Sequence, residues 1–381
     1  MTGFDQLAFS EAVLVLSLIA LIGWELLRAI RSRAWVTVYS PTLFVGAVLA
    51  YYVLIGPLQD LAEGGVEYRG LDHRALLFWG WIGALAFFAS LLLGFYFDPA
   101  SKPPQRLILR SEPERLHQLG QRLCQLGLLM FGLVSGTRVF ALLNPVGVSA
   151  LVEGGFSQRG VDVGAVANYF NYAVNFLIPG LCLMTAAWLR QRRHTVVLIL
   201  WLAASAAIYI SLGFRYRLVL LAVPLLFMLF MARRRRPSLP VLALFLAGFI
   251  TLNGLIGLTR SYGSGLDLVA VEDRSTGELF EAGFNEASVF YTTSGVIEQT
   301  PERYPFVGLQ PLVAVALFPI PRTLFPGKPD ASYGGDATAT LYGGANFARG
   351  SAFLSYAEYY LIAGWPSLIG FSALLGWLLR R

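Results

Sequence analysis

Three stretches of this sequence place cations where the backbone itself would hold them still. Gly213-Phe214-Arg215-Tyr216-Arg217 sets two arginines in a tight turn between apolar runs. Arg322 and Lys328 lie in Pro319-Ile320-Pro321-Arg322-Thr323-Leu324-Phe325-Pro326-Gly327-Lys328-Pro329, where four prolines fix φ and restrict both side chains. Arg260 follows another apolar run, and Arg349 ends a glycine-rich stretch. A guanidinium donates two parallel hydrogen bonds from a planar fork, so the chemistry such a set would do is to grip an anion. Taken singly, each arginine reads as a cation snorkelling at an interface. Taken together on one face, they read as a phosphate or carboxylate site.

The acids are fewer. Glu358 stands in Ser355-Tyr356-Ala357-Glu358-Tyr359-Tyr360, where an apolar run resumes. It reads either as an interfacial carboxylate beside a tyrosine belt, or as an arginine's partner or a base for a hydroxyl. Asp336 follows the pair Gly334-Gly335, and with Thr338, Thr340, Gly343 and Gly344 it suggests a polar segment able to close over a ligand. The sequence contains no D-x-D pair, P-loop, H-E-x-x-H or Cys/His cluster. That argues against an ATPase or a metalloprotease, and no metal or other cofactor is expected. His73, His117 and His194 are scattered.

The elements that must position these residues are membrane helices. Of 381 residues, 56% are hydrophobic and 14% charged, against roughly 45–50% and 25% in a soluble domain. Apolar runs of about 20 residues recur, long enough to cross a bilayer core of about 30 Å. Continuous apolarity rather than alternation makes them helices, since backbone groups in lipid must be satisfied internally. The expected spans are 9–28, 35–57, 75–97, 123–144, 166–189, 195–213, 218–232, 239–258 and 360–379. The fold class is therefore an all-α polytopic membrane protein with about nine transmembrane helices. Cys124 and Cys182 both fall within spans, so no external disulfide is expected. No inverted repeat of the kind found in secondary transporters is visible.

Orientation follows from the basic residues. Of the 29 Lys and Arg, 17 cluster in short segments around Arg28–Arg33, Lys102–Arg122, Arg190–Arg193, Arg233–Arg236 and Arg380–Arg381. These belong in the cytoplasm. The net charge of +6 thus has a topological meaning and does not point to nucleic acid. Segments 58–74, 145–165, 214–217 and 259–359 then face outward. The chain divides into a bundle at 1–258, a large external loop at 259–359 and a last span at 360–381. A hundred-residue loop is longer than a tether needs. Within it, 278–292 spaces Phe280, Phe284, Ala287 and Tyr291 helically, with Glu281 and Glu286 elsewhere on the wheel. That predicts a short amphipathic helix on the membrane or the bundle. The apolar stretch 310–326 is broken by prolines and is expected to be re-entrant or interfacial.

Three short motifs, in order, resemble a known family. They are Gly213-Phe214-Arg215; Ile320-Pro321-Arg322 with Phe325-Pro326-Gly327-Lys328-Pro329; and Glu358-Tyr359-Tyr360-Leu361 with Gly364 and Gly370. With the large loop before the last span, they are similar to the bacterial oligosaccharide repeat-unit polymerases, the O-antigen polymerases of the Wzy type. The likeness covers residues 195–381 by motif, and the rest by helix pattern. A paired R-x10-G signature of that family is not found in the external loops, which leaves open which arginines are catalytic. The resemblance implies a GT-C-like glycosyltransferase architecture in the bacterial inner membrane. It implies that a sugar hydroxyl of one lipid-linked repeat unit attacks the anomeric carbon of a growing glycan on undecaprenyl pyrophosphate. Arg215, Arg322 and Glu358 would be catalytic, and Arg217, Arg260, Lys328, Arg349 and Asp336 would bind substrate. The cations would neutralise the leaving pyrophosphate. Glu358, or secondarily Asp330 or Asp336, would activate the acceptor. Expected partners are these lipid-linked glycans, the bilayer and a chain-length regulator. The alternatives are an O-antigen ligase, for which the large loop lacks the expected histidine, and a polysaccharide or lipid transporter.

Overall fold

The computed structural model describes residues 3–32, 35–97, 112–135, 172–212, 215–234, 236–259, 277–279, 287–317, 333–344 and 352–380, with isolated residues at 170, 275, 320, 325 and 327. The helices are α1 (Phe9–Arg31), α2 (Pro41–Glu63), α3 (Leu77–Tyr96), α4 (Pro113–Ser135), α5 (Ala173–Gln191), α6 (Thr195–Ser211), α7 (Arg215–Ala232), α8 (Leu239–Thr259), α9 (Ala287–Gln299), α10 (Gln310–Leu317), α11 (Tyr333–Leu341), α12 (Ser355–Ala363) and α13 (Trp365–Arg380). A two-stranded hairpin, β1 (Glu67–Tyr68) with β2 (Leu71–Asp72), joins α2 to α3. Among the described residues four helices, α1, α2, α3 and α5, are long and apolar enough to cross a membrane. The apolar lengths in α6, α7 and α8 are shorter.

The chain forms two compact units, 1–107 with 284–381, and 108–283. This division cuts across the linear order of bundle, loop and last span. The segment after 284 packs with the first three helices.

In the first unit α3 and α13 lie side by side, brought together by small residues. A Cβ on Gly94 would sit 1.9 Å from the Ala373 carbonyl oxygen, and one on Gly376 would sit 2.0 Å from that of Leu91. Lipid offers no hydrophobic drive between helices, so close backbone approach at small residues is how membrane helices gain contact. The second unit repeats the device. A Cβ on Gly120 of α4 would lie 2.5 Å from the Gly180 carbonyl of α5, and one on Gly127 would lie 2.6 Å from that of Ala173. Cys124 is buried at this crossing, and both cysteines are free thiols.

Polar ties close both ends of the first unit. At the end carrying the N-terminus, Arg74 binds both carboxylate oxygens of Glu11, at 2.6 and 2.7 Å, and donates to the Gln6 carbonyl at 2.8 Å. At the other end the fully buried Glu25 accepts from Tyr96 at 2.5 Å and from Arg28 at 2.6 Å. An ionisable group at this depth is tolerated when paired in this way. In the middle of α2 the turns over Ala50–Ile55 widen to the π form. There the Val53 carbonyl accepts the Trp81 indole N–H at 3.0 Å.

Several expectations need correction. Of the helix expected over 278–292, residues 278–279 are helical and α9 takes up the described chain at Ala287. Ala287, Phe290, Tyr291, Thr292, Thr293, Ser294, Val296 and Ile297 are all buried. Its hydroxyls stop reading as polar because they bond back along the helix. Thr292 donates to Ser288, Thr293 to Val289 and Ser294 to Phe290, each at 2.7–2.9 Å. Such i−4 bonding satisfies the hydroxyl hydrogens of buried Ser and Thr within the helix itself. Phe280, Glu281, Phe284 and Glu286 lie outside the described residues. Within the glycine-flanked segment, Tyr333–Leu341 form helix α11, with Ala337 and Thr338 buried. The last span, expected from 360, is broken at Gly364 (φ +75°, ψ −146°), a conformation natural only to glycine. Ser367 seals the break, accepting the Ala363 N–H at 2.9 Å. Arg215 and Arg217 lie in the first turn of α7, not in a loop. The 310–326 stretch, expected not to span, agrees with that expectation: its α10 has eight residues, about 12 Å at 1.5 Å per residue, too short to cross.

Candidate functional site

Of the residues expected to do chemistry, Arg260, Arg322, Lys328, Arg349 and Asp330 lie outside the described residues. Arg215 and Arg217 belong to the second unit, Asp336 and Glu358 to the first. Arg217 is 6% exposed in the first turn of α7. A buried cation at a helix N-terminus opposes both desolvation and the helix dipole. In a protein of this composition such a residue points to function.

In the first unit the two acids meet around a tyrosine pair. Half-buried Glu358, on α12, accepts a very short hydrogen bond from the Tyr333 hydroxyl at the start of α11. Tyr304 then donates to the Tyr333 carbonyl at 3.0 Å. Burial raises the Tyr304 hydroxyl's pKa, and the charge of nearby Asp336 raises it further. Tyr333 is raised by burial first and by its bond to Glu358 second. Both tyrosines therefore stay protonated and act as donors. Tyr333 fixes the Glu358 carboxylate while leaving it lone pairs for an incoming hydroxyl. The local fold explains the register. Gln299 of α9 donates to the Ala337 carbonyl at 2.7 Å and anchors α11. Leu354 N–H donates to Thr293 at 2.8 Å and anchors the start of α12.

A second polar cluster, not anticipated from the sequence, lies at the other end of α11. His73 is fully buried between the hairpin and α9. Its Nδ1 lies 2.8 Å from the Leu71 carbonyl and so carries the proton, which leaves Nε2 facing the Tyr342 hydroxyl at 3.4 Å. That hydroxyl also bonds Thr292 at 2.9 Å, and burial pushes its pKa up to about 12. His73 rests against the Tyr291 ring at 5.3 Å, and Tyr291 donates to Asp60 at 2.6 Å. The hairpin turn is Arg69-Gly70, at φ +55° and +75°. A two-residue turn of this kind takes Asn, Asp or Gly readily, whereas Arg at positive φ is strained by about 1–2 kcal/mol. The Arg69 guanidinium lies over Tyr68 at 5.4 Å and Tyr342 at 5.9 Å. One signal was available beforehand: His73 is the only histidine in the outward segment 58–74. Its partners Tyr291 and Tyr342 are too distant in sequence to be read.

Burial lowers the His73 pKa below its ordinary 6.5, partly offset by the Leu71 carbonyl and Asp72. The unfolded chain therefore takes up this proton at higher pH than the folded chain. The stability held by a neutral His73 is complete above about pH 6.5 and is lost as pH falls below it. The apparent Tm of the wild type is expected to fall more steeply from pH 7.5 to pH 5 than that of His73→Gln. Parallel curves would contradict a buried neutral imidazole.

Helices suited to crossing a membrane, seated on glycine contacts, make this an α-helical membrane protein. Among the described residues no three His, Cys, Asp or Glu side chains are grouped to hold a metal. No family model, curated protein or solved structure matches the chain.

Proposed function

We propose that this protein polymerises undecaprenyl-pyrophosphate-linked oligosaccharide repeat units into O-antigen or exopolysaccharide. It does so at the periplasmic face of the bacterial inner membrane, as a nine-span protein with a GT-C-like arrangement. The observation that carries the reading is Glu358, half-buried and oriented by Tyr333, in a segment packed with the apolar helices of the first unit. A carboxylate so held suits removal of a proton from a sugar hydroxyl as it attacks. The new glycosidic bond forms at the donor's anomeric carbon. The bond to the lipid pyrophosphate breaks, and its electron pair leaves with the phosphate oxygen. Arg215, Arg217, Arg260, Arg322 and Lys328 are the cations assigned to that leaving group. Arg349 and Asp336 complete the substrate-binding set.

The test is the glycan ladder of a strain deleted for this gene and then complemented. Loss of long chains, with one repeat unit still reaching the surface, supports the polymerase. Complementation by wild type but not by Arg322→Ala supports the cation assignment. Repeat units trapped inside the cell would favour a transporter, and an intact ladder left on its carrier would favour a ligase.

A further inference from the structure

We propose that the β1–β2 hairpin is a carbohydrate subsite, which holds an uncharged sugar of the glycan apart from the pyrophosphate. The inference rests on the glycan reading above and adds where the sugar sits. Two departures from ordinary hairpin chemistry coincide here. Arg69 takes a left-handed position that glycine fills without strain. Glu67 and Asp72 face each other as direct strand partners, a like-charge pairing that sheets disfavour. Local rules broken together within six residues mark a surface kept for a ligand.

The groups offered are those that recognise a polyol. Tyr68 supplies a half-exposed ring, and the Arg69 fork is steadied over it with Nε donating to the Tyr68 hydroxyl at 3.0 Å. The exposed Glu67 carboxylate and the second oxygen of Asp72, whose Oδ1 already accepts the Arg74 N–H at 2.8 Å, can accept from sugar hydroxyl groups. Planar charged groups make the strongest hydrogen bonds to neighbouring hydroxyls. His73, Tyr342 and Thr292 form the buried floor that fixes the hairpin. Charge decides against an anionic ligand. Asp60, Glu63, Glu67 and Asp72 gather in this segment against Arg69 and Arg74, and Arg74 is already engaged by Glu11. A pyrophosphate would meet a net negative surface.

The test uses full-length protein in lipid nanodiscs. One probe is the host's own repeat-unit oligosaccharide, released from its carrier by mild acid; the other is inorganic pyrophosphate. Saturation-transfer NMR reports the sugar, and isothermal titration the pyrophosphate. Arg69→Gly relieves the strained turn, so its Tm should hold or rise while oligosaccharide affinity falls at least tenfold. Glu67→Gln should weaken the sugar several-fold, and neither variant should change pyrophosphate binding. Unchanged oligosaccharide affinity in both variants overturns the subsite. Loss of pyrophosphate binding in Arg69→Gly overturns it in favour of an anion site. If wild type binds pyrophosphate but no oligosaccharide, the subsite fails while the leaving-group assignment stands. If it binds neither, the glycan reading itself fails.

Discussion

Gly94→Leu is expected to leave no folded protein, while Gly370→Leu on a neighbouring helix is expected to be harmless. Both glycines sit in apolar helices, and composition does not separate them. Geometry does. A Cβ at Gly94 meets the Ala373 carbonyl at 1.9 Å, with Ala373 carbon atoms at 2.6 and 2.8 Å behind it. These are backbone atoms of α13, so relief requires moving the whole helix. Moving it would also open the contact that Gly376 makes with Leu91. Overpacking a core costs about 1–3 kcal/mol where side chains can yield; here the expected loss is at least the upper end of that range. A Cβ at Gly370 meets nothing within 4 Å. Replacing that helical glycine by alanine should even add up to about 1 kcal/mol. Thermal unfolding followed by size-exclusion in detergent checks both. A Gly94→Leu protein with wild-type Tm would mean that α3 and α13 do not cross as described.

The same contrast shows what was legible in the sequence. The apolar runs of α1, α2, α3 and α5 announced themselves, because twenty apolar residues have few other uses. Their mutual packing did not, because Gly94 and Gly370 look alike until a partner is known. The helix α9 shows a subtler failure. Thr292, Thr293 and Ser294 are polar by type and fell at or beyond the end of the expected helix, yet each hydroxyl donates to a carbonyl four residues back and is buried in the core. Gly364 was visible, but an apolar run on either side outvoted it. In the site, Glu358 was legible as a carboxylate at a span boundary. Tyr333, its donor, was not, because the two are 25 positions apart across a glycine-rich stretch.

That pairing sets the second large effect. Glu358→Gln keeps the side chain's shape and can still accept the Tyr333 hydroxyl, so folding and protein level should hold. What it loses is the ability to take a proton. If Glu358 is the base that activates the acceptor, polymer formation by the reconstituted protein should drop by roughly 10²–10⁴-fold. Tyr333→Phe should act differently. It leaves the carboxylate charged but no longer oriented, at a cost of about one hydrogen bond, or roughly tenfold in rate. Glu358→Asp shortens the reach and should fall between the two. The ranking distinguishes chemistry from scaffolding. If Glu358 only tied α12 to α11, Tyr333→Phe and Glu358→Gln would lower Tm rather than turnover, and the glutamine variant would be the milder of the two. A glutamine variant with a full-length glycan ladder and wild-type rate would remove Glu358 from the reaction and leave it as a structural tie.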